Sequence, residues 1–249
     1  MINNNNRQLN QFINKKESMV TKKNRIWAML ALVVAISGLA SCLKNESTPQ
    51  KPYTTLVFFS AAPVSYSTDI WVNGAKAASN LTYATGGGIN ADPGSLKIDF
   101  KRSSGDSLLA TTTASYDTMG YYTHFLYGTS PLDVYTIDES LTFADISTTK
   151  SNVRFFHMSA DVGPVDFYIN TNKVSPSRYY NDFQGGMYDE FMAVDPNTAT
   201  ITVKAAGTDS TIAVKNDVQL AQGYPHTIVL TGISANTGDF KPKITVLNH

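Results

Sequence analysis

The chain has 249 residues, of which 42% are hydrophobic, 11% aromatic and only 16% charged, with 20 basic side chains against 20 acidic ones. That apolar fraction excludes an intrinsically disordered chain, and the length gives room for one or two domains with cores of their own. The single cysteine excludes an intramolecular disulfide framework and any zinc site built on several thiolates.

The neutral total is the average of two unlike segments. Residues 1–41 hold six basic groups against Glu17, so residues 42–249 carry 14 basic and 19 acidic side chains, a net charge of −5. An acidic body gives no electrostatic footprint for nucleic acid. Lys22-Lys23-Asn24-Arg25 is followed by a 15-residue, largely apolar run from Ile26 to Ala40, too short to span a bilayer as a helix. Basic cluster, short apolar run and small residues are the three regions of a secretory signal, expected over residues 1–41 with translation starting at Met19. Leu39-Ala40-Ser41-Cys42 resembles the bacterial lipobox, which implies acylation of the Cys42 thiol and a membrane partner reached through that lipid. Leucine at position 43 implies sorting to the outer membrane, and Lys44-Asn45-Glu46 loosely resembles a surface-export signal of Bacteroidetes lipoproteins. Residues 42–52, polar with Pro49 and Pro52, read as the lipidated N-terminus and its tether.

Beyond Tyr53 the sequence repeats itself. Thr55–Ser60 aligns with Asn152–His157 at a shift of 97, as does Asp69-Ile70-Trp71-Val72-Asn73 with Asp166-Phe167-Tyr168-Ile169-Asn170. After one insertion the shift becomes 103 and pairs Asp92-Pro93 with Asp195-Pro196 and Gly120-Tyr121 with Gly223-Tyr224. A tandem duplication is expected, with copies over 53–147 and 148–249. Within each copy apolar and polar residues alternate, as in Leu96, Ile98 and Phe100 against Lys97, Asp99 and Lys101. Turn residues recur at strand spacing and no window has a helical period. The fold class is therefore all-β, two tandem immunoglobulin-like β-sandwich domains after a lipoprotein signal peptide. Gly-Tyr before an apolar strand predicts a tyrosine corner at Tyr121 and Tyr224, and Gly86-Gly87-Gly88 reads as a flexible loop.

The run Phe155-Phe156-His157-Met158-Ser159-Ala160-Asp161-Val162-Gly163-Pro164-Val165-Asp166-Phe167-Tyr168 resembles the opening motif of domain of unknown function 4397. The first copy departs from it, with Ser60 in place of His157 and Ala62 in place of Ser159. The resemblance implies a β-sandwich in the cell envelope, in tandem copies of the kind found on Bacteroidetes lipoproteins, and supplies no activity.

Two groups of residues invite a functional reading. His157, Asp161 and Asp166 form a candidate polar cluster, and a hydrolase centred on His157 and Asp161 would need the imidazole within hydrogen-bond reach of the other groups. The first copy lacks that set, and none of the four histidines pairs at metal-ligand spacing, so no enzyme, metal or cofactor is expected. Tyr179, Tyr180, Phe183 and Tyr188 surround Gly185-Gly186, as an exposed loop presenting aromatic faces to a ligand would. The expected function is a lipid-anchored, non-enzymatic envelope protein with a binding or adhesive surface. Its partner would be a polysaccharide or another envelope protein, and the loop aromatics would make it a glycan-binding accessory protein.

Overall fold

The computed structural model describes residues 51–249 apart from residue 106. The signal segment, Cys42 and most of the tether thus lie outside the described residues. Among the described residues the regular secondary structure is almost entirely strand. The first half runs β1 (Thr54–Ser60), β2 (Thr68–Val72), β3 (Ala75–Leu81), β4 (Gly86–Ala91), β5 (Gly94–Arg102), β6 (Leu108–Tyr116), β7 (Tyr121–Gly128) and β8 (Leu132–Asp138). A single helical turn, α1 (Glu139–Thr142), then leads into the second half. That half comprises β9 (Ser151–His157), β10 (Val165–Ile169), β11 (Asn172–Arg178), β12 (Met192–Val194), β13 (Asn197–Ala205), β14 (Thr211–Leu220), β15 (Pro225–Thr231) and β16 (Lys243–Asn248).

Two tandem sandwiches result. The first pairs sheet β4-β1-β7-β8 with sheet β3-β2-β5-β6, and the second repeats that order as β12-β9-β15-β16 and β11-β10-β13-β14. The alternation in β5 is used as expected, with Leu96, Ile98 and Phe100 in the core of the first sandwich. Ile201 and Val203 of β13 do the same in the second. At the centre of one sheet in each sandwich the strands run parallel, β1 with β7 and β9 with β15. These strands do not alternate: every residue of β9 and β15 is buried. A strand covered on both faces carries apolar side chains on both, as the side-by-side pairs Phe58-Phe59 and Phe155-Phe156 do, and its buried polar residues, Arg154 and His157 among them, are hydrogen-bonded.

The second covered face is the junction between the sandwiches. Phe58 and Phe155 point into their own cores, whereas Phe59, Phe125, Phe156 and Val229 form a third apolar cluster that joins the two halves. The Phe125 and Phe156 rings meet edge to face at 5.5 Å across it. Residues 52–249 accordingly make one compact unit.

Two local expectations are corrected. Gly86-Gly87-Gly88 is strand β4, paired antiparallel with β1. A Cβ on Gly86 would lie 3.1 Å from the Phe58 carbonyl oxygen, so the small residues allow a close strand approach where a loop was expected. The tyrosine corner is made by Tyr122, one residue later than expected: its hydroxyl accepts the Asp117 N–H at 3.1 Å. The ring lies so close to Gly120 that a Cβ there would be 2.6 Å from Tyr122 Cε2. Pro225 follows Tyr224 in the second sandwich, and Tyr224 itself is exposed.

Candidate functional site

The structure separates the candidate polar cluster into three unrelated structural roles. His157 is fully buried at the end of β9, where Nε2 donates to the Gly163 carbonyl at 3.1 Å and Nδ1 accepts the Ser159 N–H at 3.4 Å. Burial pushes its pKa down, so it holds the following loop as a neutral imidazole. Asp161 faces away to another loop, accepting the Ser234 N–H at 2.8 Å and its hydroxyl at 2.7 Å.

Asp166, buried in β10, binds Lys173 Nζ at 2.6 Å, the Ser177 N–H at 2.9 Å and the Gly207 N–H at 3.2 Å. These bonds, led by that to Lys173, hold its carboxyl down at about 2. The first sandwich repeats the arrangement with Asp69, Lys76 and the Asn80 N–H. His157 and Asp161 thus share no partner, and the arrangement a hydrolase would require is not assembled. Among the described residues no cluster of three metal-ligating side chains occurs.

The aromatic loop is likewise reassigned. Phe183 has no exposed surface and packs between Tyr127, Tyr135 and Phe156 in the junction cluster. Tyr180 and Tyr188 are half-buried against the same cluster. The Arg178 guanidinium lies 3.4 Å from the centre of the Tyr188 ring. Of the four aromatics expected to meet a ligand only Tyr179 is mainly exposed. The reason is the second face of β9 and β7, which needs an apolar cover that the sheets leave incomplete; residues 179–188 supply it.

The aromatic surface with room beside it lies elsewhere. A cleft of about 340 Å³ is lined by Val64, Ser65, Tyr66, Thr82, Tyr83, Asp239, Phe240 and Lys243. Its walls come from the β1–β2 and β3–β4 connections of the first sandwich and the β15–β16 connection of the second. Tyr83 crosses the boundary: its hydroxyl is 2.9 Å from Thr231 Oγ1 and its ring 5.4 Å from that of Phe240. On the Tyr83 ring rests Lys243, with Nζ 4.1 Å from the ring centre. Arg102 stacks on Tyr66 at 4.6 Å. Burial lowers the Lys243 pKa, with Asp239 opposing. Chemically the cleft offers three half-buried rings, hydroxyls from Ser65, Thr82 and the tyrosines, a carboxylate and an ammonium, the mixture of apolar faces and few polar groups that a small-molecule site needs.

Sequence reasoning missed this set. Its members come from three connections far apart along the chain, and no local motif marks them.

A second cavity, of about 190 Å³, is lined by Arg154, Arg178, Tyr188 and Phe191 among others. Both arginines are already neutralised, Arg154 by Glu139 and Arg178 by Asp182.

Comparison with known proteins places residues 151–248 in a match to the family model "Domain of unknown function (DUF4397)", covering the second sandwich. No curated protein matches significantly. Among solved structures, the chain is similar to a family 26 carbohydrate-binding module of Eubacterium rectale Amy13K, crystallised with maltoheptaose, at 8% identity and a TM-score of 0.27. That match covers 79% of this chain and 97% of the module. A putative polysaccharide-binding protein (DUF1812) of Bacteroides thetaiotaomicron follows at 9% identity and a TM-score of 0.22, covering 74% and 94%. A family 41 carbohydrate-binding module from streptococcal virulence factors, described in terms of alpha-glucan recognition, matches at 7% identity and a TM-score of 0.24, covering 77% and 96%.

Proposed function

We propose that this protein is a lipid-anchored, non-enzymatic binding module of the cell envelope, and that it takes a carbohydrate chain in the cleft between its sandwiches. The observation that carries the reading is the convergence of Tyr66, Tyr83 and Phe240 around a 340 Å³ cleft that also holds Ser65, Thr82, Asp239 and Lys243. A sugar ring has apolar C–H faces and a polar rim, so it needs an aromatic face with hydrogen-bonding groups beside it. The cleft supplies both. The lipid anchor rests on Cys42 at the end of the apolar run, and the outer membrane is the location this implies. The absence of catalysis rests on the separate structural engagement of His157, Asp161 and Asp166.

Affinity electrophoresis of residues 42–249 in gels containing a neutral glucan, xylan, polygalacturonate or alginate tests the binding. At least one polymer is expected to retard the protein, and Tyr66→Ala and Phe240→Ala to abolish most of the retardation with the thermal midpoint little changed. Free migration in all four gels overturns the reading.

A further inference from the structure

Resting on the lipid-anchor reading, we infer that the end of the protein where the tether arrives is seated on the bilayer surface, with Met119, Leu141 and Tyr224 entering the lipid headgroup region. Both parallel strand pairs begin at that end. Thr55 of β1 lies beside Tyr121 of β7, and Asn152 of β9 beside Pro225 of β15. Phe143 ties the two starts together: its ring is 5.6 Å from that of Tyr121 and 5.5 Å from that of His249, whose N–H donates to the Pro225 carbonyl at 3.1 Å. Three large apolar side chains stand exposed there, Met119 at 69%, Leu141 at 71% and Tyr224 at 59%. Met119 donates its N–H to the carbonyl of Tyr53, the residue through which the chain enters β1, at 2.7 Å. Ser140, next to Leu141, accepts the Tyr121 N–H at 2.9 Å.

The duplication shows that Met119 is not there for the fold. Gly223 makes the matching bond in the second sandwich, from its N–H to the Lys150 carbonyl at 2.7 Å, with φ at 78°. Met119 holds the same left-handed backbone at φ 62°, where glycine is the unstrained choice, and its exposed side chain gains little packing in return. The second sandwich places its own large side chain, Tyr224, on the next residue. Methionine and leucine enter the acyl boundary readily, and tyrosine favours the headgroup level. Three such side chains would hold a free protein on lipid only weakly. A tether of ten residues from Cys42 spans about 35 Å at most, so the anchored patch meets the surface at a high effective concentration. The candidate cleft is lined by the connections that follow β1 and β15, at the opposite end, so this seating leaves it open to solvent.

Methyl NMR of residues 42–249, labelled at the methionines and coupled through Cys42 to a maleimide lipid in phosphatidylcholine nanodiscs, tests the seating. Spin-labelled headgroups should reduce the Met119 signal roughly fivefold. Met187 is the control, 76% exposed but beside Arg154 at the middle of β9, and should keep most of its intensity. Leu141→Ser with Tyr224→Ser, both at exposed positions and checked for folding by circular dichroism, should restore most of the Met119 signal. A Met119 loss no greater than that of Met187, or one that the double substitution leaves in place, as tether length alone would produce, overturns the seating and leaves the anchor standing. A Met119 shift on concentrating the uncoupled protein, with no loss on the nanodisc, would give the patch to a second copy instead. Mass spectrometry of the mature N-terminus from a bacterial host reports on the anchor separately: an unacylated Cys42 overturns it, and the seating with it.

Discussion

His124 lies fully buried in β7, stacked on Phe58 at 5.1 Å, between the Tyr116 hydroxyl and the Val57 carbonyl. A carbonyl can only accept, so Nδ1 carries the proton and Nε2 accepts from Tyr116 at 2.9 Å. Burial pushes the imidazole pKa down to about 4, and His249 is lowered to about 4 for the same first reason. With folded values below the ordinary 6.5, the unfolded chain binds these protons first. Stability is therefore complete above pH 6.5 and falls as the pH is lowered toward 4, by about 1.4 kcal/mol per pH unit for each such histidine. The carboxyl of Asp166, held at about 2, stays ionised in both states over most of that window and gives its own loss only below 3.8. Urea unfolding of wild type between pH 6.5 and 4.5 should show the decline. His124→Gln should reduce its slope by about 1.4 kcal/mol per unit, and an unchanged slope would remove His124 as a cause.

At the scale of elements, the aspartates that open β2 and β10 explain a feature common to both sandwiches. The β2–β3 and β10–β11 pairings each slip register, and at the slip Asn80 and Ser177 adopt φ values of 62° and 49°. Asp69 and Asp166 accept the N–H groups of those two residues. The acid thus replaces ladder bonds that the bulge removes. Asp166→Ala should cost about 2–3 kcal/mol in chemical unfolding, because the charge-assisted hydrogen bonds from Lys173, Ser177 and Gly207 are lost together. Ser177→Asn, which brings in the residue of the first sandwich, should gain about 0.5 kcal/mol, since asparagine tolerates the left-handed region better. A loss of stability in Ser177→Asn would contradict the argument.

The recurrence of Asp69 as Asp166 and the alternation in β5 and β13 were legible in the sequence, because each is written in residues close together in the chain. Phe183 was not. Glycines and tyrosines around it read as an exposed loop, and only the third apolar cluster, formed when two sheets meet, shows why that ring is buried. Tyr66, Tyr83 and Phe240 were missed for the same physical reason: their proximity is made by the chain's long-range pairing.

On the scale of the whole molecule, the two sandwiches are joined by an ion pair as well as by the aromatic cluster. Glu139 opens α1 at the end of the first sandwich, and Arg154 stands on the junction face of β9. Both are buried; Arg154 binds Glu139 through Nη1 at 3.0 Å and Nη2 at 2.5 Å, and donates from Nε to Thr227 Oγ1 at 2.8 Å. Its guanidinium also lies 4.4 Å from the Phe191 ring centre. Burial opposes ionisation of Glu139, yet the guanidinium holds the carboxyl below its ordinary value, so the pair is ionised. Taking two charges out of water is expensive, and their attraction repays it only while both are present. Arg154→Met should therefore cost about 3–5 kcal/mol, because it strands a buried carboxylate, whereas adding Glu139→Gln should recover much of that loss. Two-state unfolding measured for the wild type, both single variants and the double variant gives the coupling. Additive losses would mean that the pair contributes nothing as a pair, and that the apolar cluster around Phe156 joins the sandwiches unaided. A large coupling, with one unfolding transition in the wild type, would mean that the charged clamp and the aromatic face act together in joining the two sandwiches.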